Sequence, residues 1–410
     1  MTHIASQKAS EGAIFSSLRH REFRLLWIGL IGTFAGNWLQ IIAQGWLVLE
    51  ISDSALFLGL VTASSSLPIL IFSLPGGVVA DRVDRRKLLL VARVFIIMFT
   101  FVLAAITVLG WVNVWYVLML SFLTGTAWAW ELPARQALVP ALVEKEELTN
   151  AIALNAAVFN ASRVLGPGVA GVLVGLVGPA GCFFIAAAGH VVLLVTLLMM
   201  RFPENNQDEE RASMARDLIN GLRYVQHNDN VRTLLILAAL PSLFGFSYFT
   251  LMPVFARDVL GGGAFELGLL MAATGVGALI ASLLIAWFGD FTGQGKYMLI
   301  AATLFGLVLI LFAFSSWVPL SLVALVGVGG TATAYLTLNN TLLLAIVPES
   351  LHGRVMSVLM LAFGLGVIGA AWVGATAAQI GAPYTVAFTG VVSVILALVV
   401  AWLKPAMRSL

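Results

Sequence analysis

Apolar runs of 18 residues or more recur along the whole of this 410-residue chain, and each is long enough to cross a bilayer as a helix. Hydrocarbon offers the backbone no hydrogen-bond partner, so such runs fold as helices that satisfy their own N–H and C=O groups. Composition agrees: 60% of the residues are hydrophobic and 10% charged, against about 25% charged in soluble domains. Twelve spans are predicted, at 24–49, 56–80, 88–110, 113–138, 149–177, 180–201, 232–256, 265–289, 296–315, 317–346, 355–380 and 383–403. Turn signals separate them, among them "SDS" at 52–54, "VGPAG" at 177–181 and "GGG" at 261–263. The expected fold class is all-α and integral to the membrane, with 12 transmembrane helices in two six-helix bundles.

A single long polar segment, 203–230, falls between spans six and seven. It divides the chain into a first bundle (1–202), a linker (203–230) and a second bundle (231–410). In the linker Leu218, Ile219, Leu222 and Val225 recur at helical spacing, which predicts a short amphipathic helix along the inner surface. Of the 22 basic residues, 20 fall in segments on one side when the N-terminus is placed inside; five of them are counted between 82 and 93. Lysine and arginine are retained on the cytoplasmic side, so both termini are expected there. Residues 1–20 show no apolar core with a cleavage site, and no removable signal peptide is expected.

Several chemistries lack their residues. There is no Gly-x-x-x-x-Gly-Lys-Ser/Thr loop for a nucleotide, no His-Glu-x-x-His and no Gly-x-Ser-x-Gly, so neither ATP-driven pumping nor an enzyme is expected. One cysteine, Cys182, and five scattered histidines offer no metal site. No cofactor is expected, and a net charge of +2 gives no reason to expect a nucleic-acid partner. The expected partners are a small-molecule substrate, protons and membrane lipid, with the chain acting as a monomer.

Between spans two and three stands "GGVVADRVDRRK". Gly77 permits close helix approach, Asp81 asks for a positive partner or a helix N-terminus, and Arg82, Arg85 and Arg86 supply topology. Arg163 lies deep in span five and Glu131 in span four. Ionisable groups at such depth default to function with a partner, and Glu131 is one candidate partner of Arg163. Glu131 is also the candidate proton carrier, with Arg135 one helical turn on. His190 reads as a buried neutral histidine. A cavity lining is expected from Asn37, Gln40 and Gln44 in span one, Trp128 in span four, Asn155 and Asn160 in span five, Tyr248 in span seven, and Tyr335 and Asn339 in span ten.

The 2–3 loop and the twelve-span layout resemble the major facilitator superfamily. Gly77 to Arg86 matches that family's loop signature except for Asp84, which stands where a second glycine is usual. "FRLLWIGLIGTFAGNWLQ", "LPARQALVPALVEKEELTNAIALN", "SRVLGPGVAGVL" and "VPESLHGRVMS" are similar to the branch of enterobactin and macrolide exporters. The resemblance implies that Asp81 meets the start of span eleven, where Arg354 stands; Gly77, Asp81, Arg82, Arg85, Arg86 and Arg354 are therefore expected to form a latch between the bundles. It also implies that Gly166, Pro167 and Gly171 form the exporters' bend in helix five. The expectation is therefore a bacterial inner-membrane exporter of a small organic molecule, drug-like or a siderophore, exchanging it for protons. The alternatives are a metabolite uptake carrier, a lipid flippase or a transporter-like sensor.

Overall fold

Asp84 decides where the third helix begins. Its side chain accepts from the backbone N–H of Arg86 at 2.8 Å and of Lys87 at 3.4 Å, satisfying donors that a helix start leaves orphaned. The departure from the family's glycine is thus an N-cap. In the computed structural model, residues 15–82, 84–202, 214–289 and 292–408 are described, and the side chains of 73–82, 137, 214–220, 240–241, 245–247, 350, 363, 406 and 408 fall outside that description.

The described residues form helices α1 (Arg21–Ser52), α2 (Ala55–Arg82), α3 (Arg85–Val108), α4 (Val114–Leu138), α5 (Leu148–Met199), α6 (Met214–His227), α7 (Asp229–Leu240), α8 (Ala264–Phe288), α9 (Gln294–Ala313), α10 (Val318–Ile346), α11 (His352–Gly364), α12 (Gly366–Ile380) and α13 (Ala382–Leu403). Among the described residues ten helical stretches are long and apolar enough to cross a membrane. α5 is one of the ten but turns back within itself at Gly178, whose φ of 69° and ψ of 174° no helix tolerates. Glycine alone visits that region freely, and Pro179 then starts the returning leg without needing a donor. α4, 25 residues long and carrying Glu131 and Arg135, is not among the ten.

α7 does not run on as an α-helix. Beyond Leu240 it continues as a π turn (Pro241–Gly245), a 3₁₀ stretch (Phe246–Leu251) and further short turns to Val259. Pro241 has no N–H to give the Leu237 carbonyl four residues back. The Tyr335 hydroxyl on α10 donates to that carbonyl instead, and Asn339 Nδ2 donates to the Leu234 carbonyl at 3.1 Å. The ladder that proline breaks is repaired from the neighbouring helix, as irregular backbone at membrane depth requires.

α1 packs along both legs of α5, α2 on α4, α8 on α10, and α9 on both α10 and α13. Among the described residues, helices before and after α6 meet most extensively where α2 packs on α12 and α5 on α8. Both meetings are glycine to glycine. A Cβ built on Gly59 would stand 2.8 Å from the Gly374 Cα, and one on Gly171 would stand 2.7 Å from the Gly268 Cα. Those are distances no carbon atom tolerates, so only glycine lets the backbones touch. Nearby, Arg257 after α7 pairs with Asp53 at the end of α1 and donates to the Leu49 carbonyl at 3.2 Å. α6 is seated on α11: a Cβ at Gly221 would lie 2.5 Å from the Arg354 carbonyl oxygen, and Val225 is buried with Val355 and Val358. Of the amphipathic face expected for α6, Leu218 and Ile219 lie outside the described side chains.

These crossings are testable. Gly171→Leu and Gly374→Leu should each cost about 1–3 kcal/mol, the range for overpacking. Leucine at Gly175, on the same helix as Gly171 but with nothing within 4 Å of its Cβ, should be silent. Thermal unfolding of the purified variants measures this, and equal melting temperatures for Gly171→Leu and Gly175→Leu would dismiss the crossing as a constraint.

Candidate functional site

Arg93 is the largest fully buried side chain among the described residues and has no exposure. It stands eight residues into α3, roughly 12 Å along the helix axis. Its Nη2 donates to Glu131 Oε1 on α4, and its Nη1 lies 3.3 Å from His190 Nδ1 on the returning leg of α5. Arg135 Nε stands 3.8 Å from the same Glu131 oxygen. The i,i+4 pair on α4 therefore survives the intervening Pro133. Glu131 is 1% exposed and His190 wholly buried, while the Arg135 side chain keeps 13% exposure.

The cluster thus holds one carboxylate between two guanidinium groups, away from water. Such an arrangement is tolerated only where partners compensate the desolvation of each charge. Aromatic faces assist: the Trp128 ring centre lies 5.4 Å from the Arg93 guanidinium and 5.9 Å from that of Arg135, and Phe34 lies 5.8 Å from Arg135. Cation–π contacts are stronger in such a desolvated setting. Not every polar atom is satisfied. Glu131 Oε2, His190 Nε2 and Arg93 Nε are buried without a hydrogen-bond partner among the described residues.

A cavity of about 290 Å³ adjoins the cluster. Its walls are Asn37, Gln40 and Gln44 from α1, Ser65 and Ser66 from α2, and Ser121, Thr124 and Trp128 from α4. Gln44 Nε2 donates to Ser121 Oγ at 3.0 Å, and Thr100 Oγ1 donates to Gln40 Oε1 at 3.3 Å. Trp128 belongs to both places, since it lines the cavity and also faces the two arginines. Among the described residues it links an occupant of the cavity to the charges.

Other expected residues are placed elsewhere. Tyr335 and Asn339 are 3% and 2% exposed and spend their donors on α7, so they join helices and do not line this cavity. Tyr248 is buried edge-on to Phe249. Asn160 is exposed on α5 and bonds back to its own helix at the Ala156 carbonyl, and Asn155 is half-buried. Gly166 lies against Trp38, whose Cδ1 would be 2.5 Å from a Cβ there. Pro167 is buried with its carbonyl against Gly268, so the stretch from Gly166 to Gly171 packs α5 closely on α8. Arg163 is exposed on α5 and does not meet Glu131, which Arg93 and Arg135 already hold. Of the latch, Gly77, Asp81 and Arg82 lie outside the described side chains. Arg85 is half-buried, Arg86 covers the Phe202 ring at 5.5 Å, and Arg354 turns its backbone to α6.

Arg93 corrects the count of cytoplasmic basic residues, because it belongs to the helix interior and not to the loop. The signal was present in the spacing. Leu89, Arg93, Ile96, Thr100 and Leu103 share one helical face, and all five are buried.

The charge balance predicts an unequal set of variants. Glu131→Leu should destabilise the protein by about 3–5 kcal/mol, the cost of leaving buried charge unpaired. Arg93→Leu should cost less, because Glu131 keeps Arg135. Adding Arg93→Leu to Glu131→Leu should recover part of the loss. Thermal melts of the three variants decide, and strictly additive effects would show that the charges act independently.

Comparison with known proteins bears on what such a site serves. The family model described as "Transmembrane secretion effector" matches residues 12–409. The chain is 26% identical over 374 residues to the Staphyloferrin A transporter of Staphylococcus aureus, covering 89% of this chain and 92% of that protein. It is 25% identical over 345 residues to the multidrug efflux pump Tap of Mycolicibacterium fortuitum, covering 82% and 84% of the two chains. It is 27% identical over 333 residues to the enterobactin exporter EntS of Shigella boydii, covering 80% and 76%. The crystal structure of the nucleoside transporter NupG shares the fold, with a TM-score of 0.73 at 16% identity over 93% of this chain and 99% of that one. A multi-pass, all-helical architecture and transporter relatives along its length agree that this is a transporter of small molecules and not an enzyme. The chain belongs to the transmembrane secretion effector family of the major facilitator superfamily.

Proposed function

We propose that the protein is a secondary exporter of a small organic molecule, a drug-like compound or a siderophore, working by alternating access in exchange for protons. Relatives named as a siderophore transporter, a multidrug efflux pump and an enterobactin exporter support the cargo class. In this reading the chain crosses a bacterial inner membrane twelve times, as a monomer with both termini cytoplasmic. The twelve passes count α4 and treat α5 as two legs about Gly178, giving six on each side of α6. The observation that carries the proposal is the buried carboxylate of Glu131, held between Arg93 and Arg135 behind a polar cavity.

Glu131 is the proton carrier of this mechanism. While ionised it accepts from Arg93 and attracts Arg135, tying α3 to α4 and holding Trp128 between the two guanidinium groups. Once protonated it keeps its shape but loses its charge, so both ion pairs weaken together. Trp128 then gains freedom at the cavity wall. The proton state is in this way felt by cargo without direct contact. Gly77, Asp81, Arg82, Arg85, Arg86 and Arg354 act as the latch that closes the cytoplasmic side. The glycine crossings at Gly59–Gly374 and Gly171–Gly268 form the hinge region at the other end, and the Arg163 backbone continues the second of them against Gly275, two turns along α5. Asn155, Asn160 and Tyr248 extend the cargo pathway beyond the cavity.

Proteoliposomes loaded with a fluorescent amphipathic dye test this reading. The wild-type protein should move dye only when a proton gradient is imposed. Glu131→Gln should lose the gradient-driven component while a thermal shift still reports dye binding. Asp81→Asn should slow turnover and leave binding intact. Gradient-driven flux at the wild-type rate in Glu131→Gln would remove Glu131 from the coupling. Movement of lipid alone would instead favour a flippase, and binding without any flux a sensor.

A further inference from the structure

A second cavity lies away from the charge cluster. It measures about 740 Å³ and runs between α8 and α9 over α10. These two helices are consecutive in the chain, yet each packs on α10 and they scarcely touch one another. The floor is built from small groups, Gly327, Gly330, Thr331 and Ala334. The Thr331 hydroxyl is bonded to the Gly327 carbonyl at 2.7 Å, which leaves its methyl to the groove. The walls are apolar and open: Ile280 and Leu284 on α8 are 47% and 49% exposed, and Leu304 on α9 is 45% exposed.

We infer that this groove holds one acyl chain of an anionic phospholipid. Its reach along α8, from Gly277 to Phe288, corresponds to about 16 Å of helix rise. That is close to half of a hydrocarbon core of about 30 Å, the depth of a single leaflet. At its open end stand Trp287 and Phe288, 86% and 70% exposed, where a tryptophan marks the headgroup level. Lys296, exposed on the first turn of α9, adjoins the lining residue Tyr297 at that same end. An apolar slot one leaflet deep, ending in a lysine beside an aromatic pair, complements a hydrocarbon chain with a negative head. A polar cargo would find few hydrogen-bonding groups along it, since Thr331 spends its hydroxyl on the Gly327 carbonyl and the other hydroxyls, Thr292 and Tyr297, stand at the lysine end. The leaflet would be the cytoplasmic one, a point that rests on the orientation proposed above, whereas the groove itself does not.

Native mass spectrometry of the purified full-length protein tests the assignment, with phosphatidylglycerol and phosphatidylcholine as probes. One phosphatidylglycerol should be retained in preference to phosphatidylcholine. Lys296→Gln should weaken that retention about fivefold, the effect of one basic charge near a membrane surface. Ala334→Phe should abolish it by filling the floor. Should Ala334→Phe fail to fold, Leu304→Trp narrows the slot from its exposed wall and should lower retention likewise. Equal retention by wild type and all variants would mean annular lipid only and would overturn the inference. So would a dimer formed in place of the lipid complex. Dye transport does not enter these measurements, so failure of the export reading leaves the lipid result standing, and the reverse also holds.

Discussion

The ion pair between Arg93 and Glu131 sets terms for everything around it. A single guanidinium reaches α4 through one nitrogen and the returning leg of α5 through another, so three helices are held in mutual register by one side chain. An arginine at that depth is costly unless its charge is met. The surrounding helices must therefore bring a carboxylate, a histidine nitrogen and an aromatic face to the same point. Arg135 adds a second positive group, which binds the carboxylate more tightly and makes its neutralisation more consequential. Any event that changes the charge of Glu131 is felt on α3, α4 and α5 at once.

Chemistry of a different kind joins the helices before α6 to those after it. At Gly59–Gly374 and Gly171–Gly268 the backbones meet without side chains between them. No buried charge has to be desolvated or re-paired when such surfaces separate and rejoin. The Arg257–Asp53 pair at that end is largely open to solvent, since Asp53 keeps 81% of its side-chain exposure. Exposed pairs of this sort are worth about 0–1 kcal/mol. Close packing does most of the holding there, and the charge pair mainly orients the end of α1. Among the described residues the buried ion pairs stay inside the helices before α6 and do not bridge to those after it.

Much of the fold was legible because membrane helices obey few rules. Apolar length located the spans, and turn residues located their ends; Gly178 and Pro179 fall where "VGPAG" places the boundary. The candidate site was legible only in part. Glu131 and Arg135 were visible as charges at depth, and Gln40, Gln44 and Trp128 as polar groups on helix faces. Arg93 was hidden by its position, six residues after the last of four loop bases, where counting charges merges it with the loop. Only the phase of the buried face separates the two. Tyr335 and Asn339 misled for the opposite reason, because polar residues within an apolar run look alike whether they face cargo or backbone. What distinguishes them is a proline on a different helix.

That proline shows how polar groups in this protein divide. Pro241 leaves the Leu237 carbonyl without its helical donor, and Tyr335 answers it. Asn339 adds a donor to the Leu234 carbonyl one turn earlier. The Tyr335 hydroxyl stands in for the donor that Pro241 lacks, and both side chains are committed to the backbone of α7. The groups around Glu131 are different. Glu131 Oε2, His190 Nε2 and Arg93 Nε are buried without a protein partner among the described residues, beside a cavity whose walls are amides and hydroxyls. Burying unsatisfied polar atoms is destabilising by about 1–3 kcal/mol each, a burden that helix packing alone has no reason to keep. Unspent hydrogen-bonding capacity beside a polar cavity, more than the presence of charge, therefore sets the cluster around Glu131 apart from the joints that Tyr335 and Asn339 make.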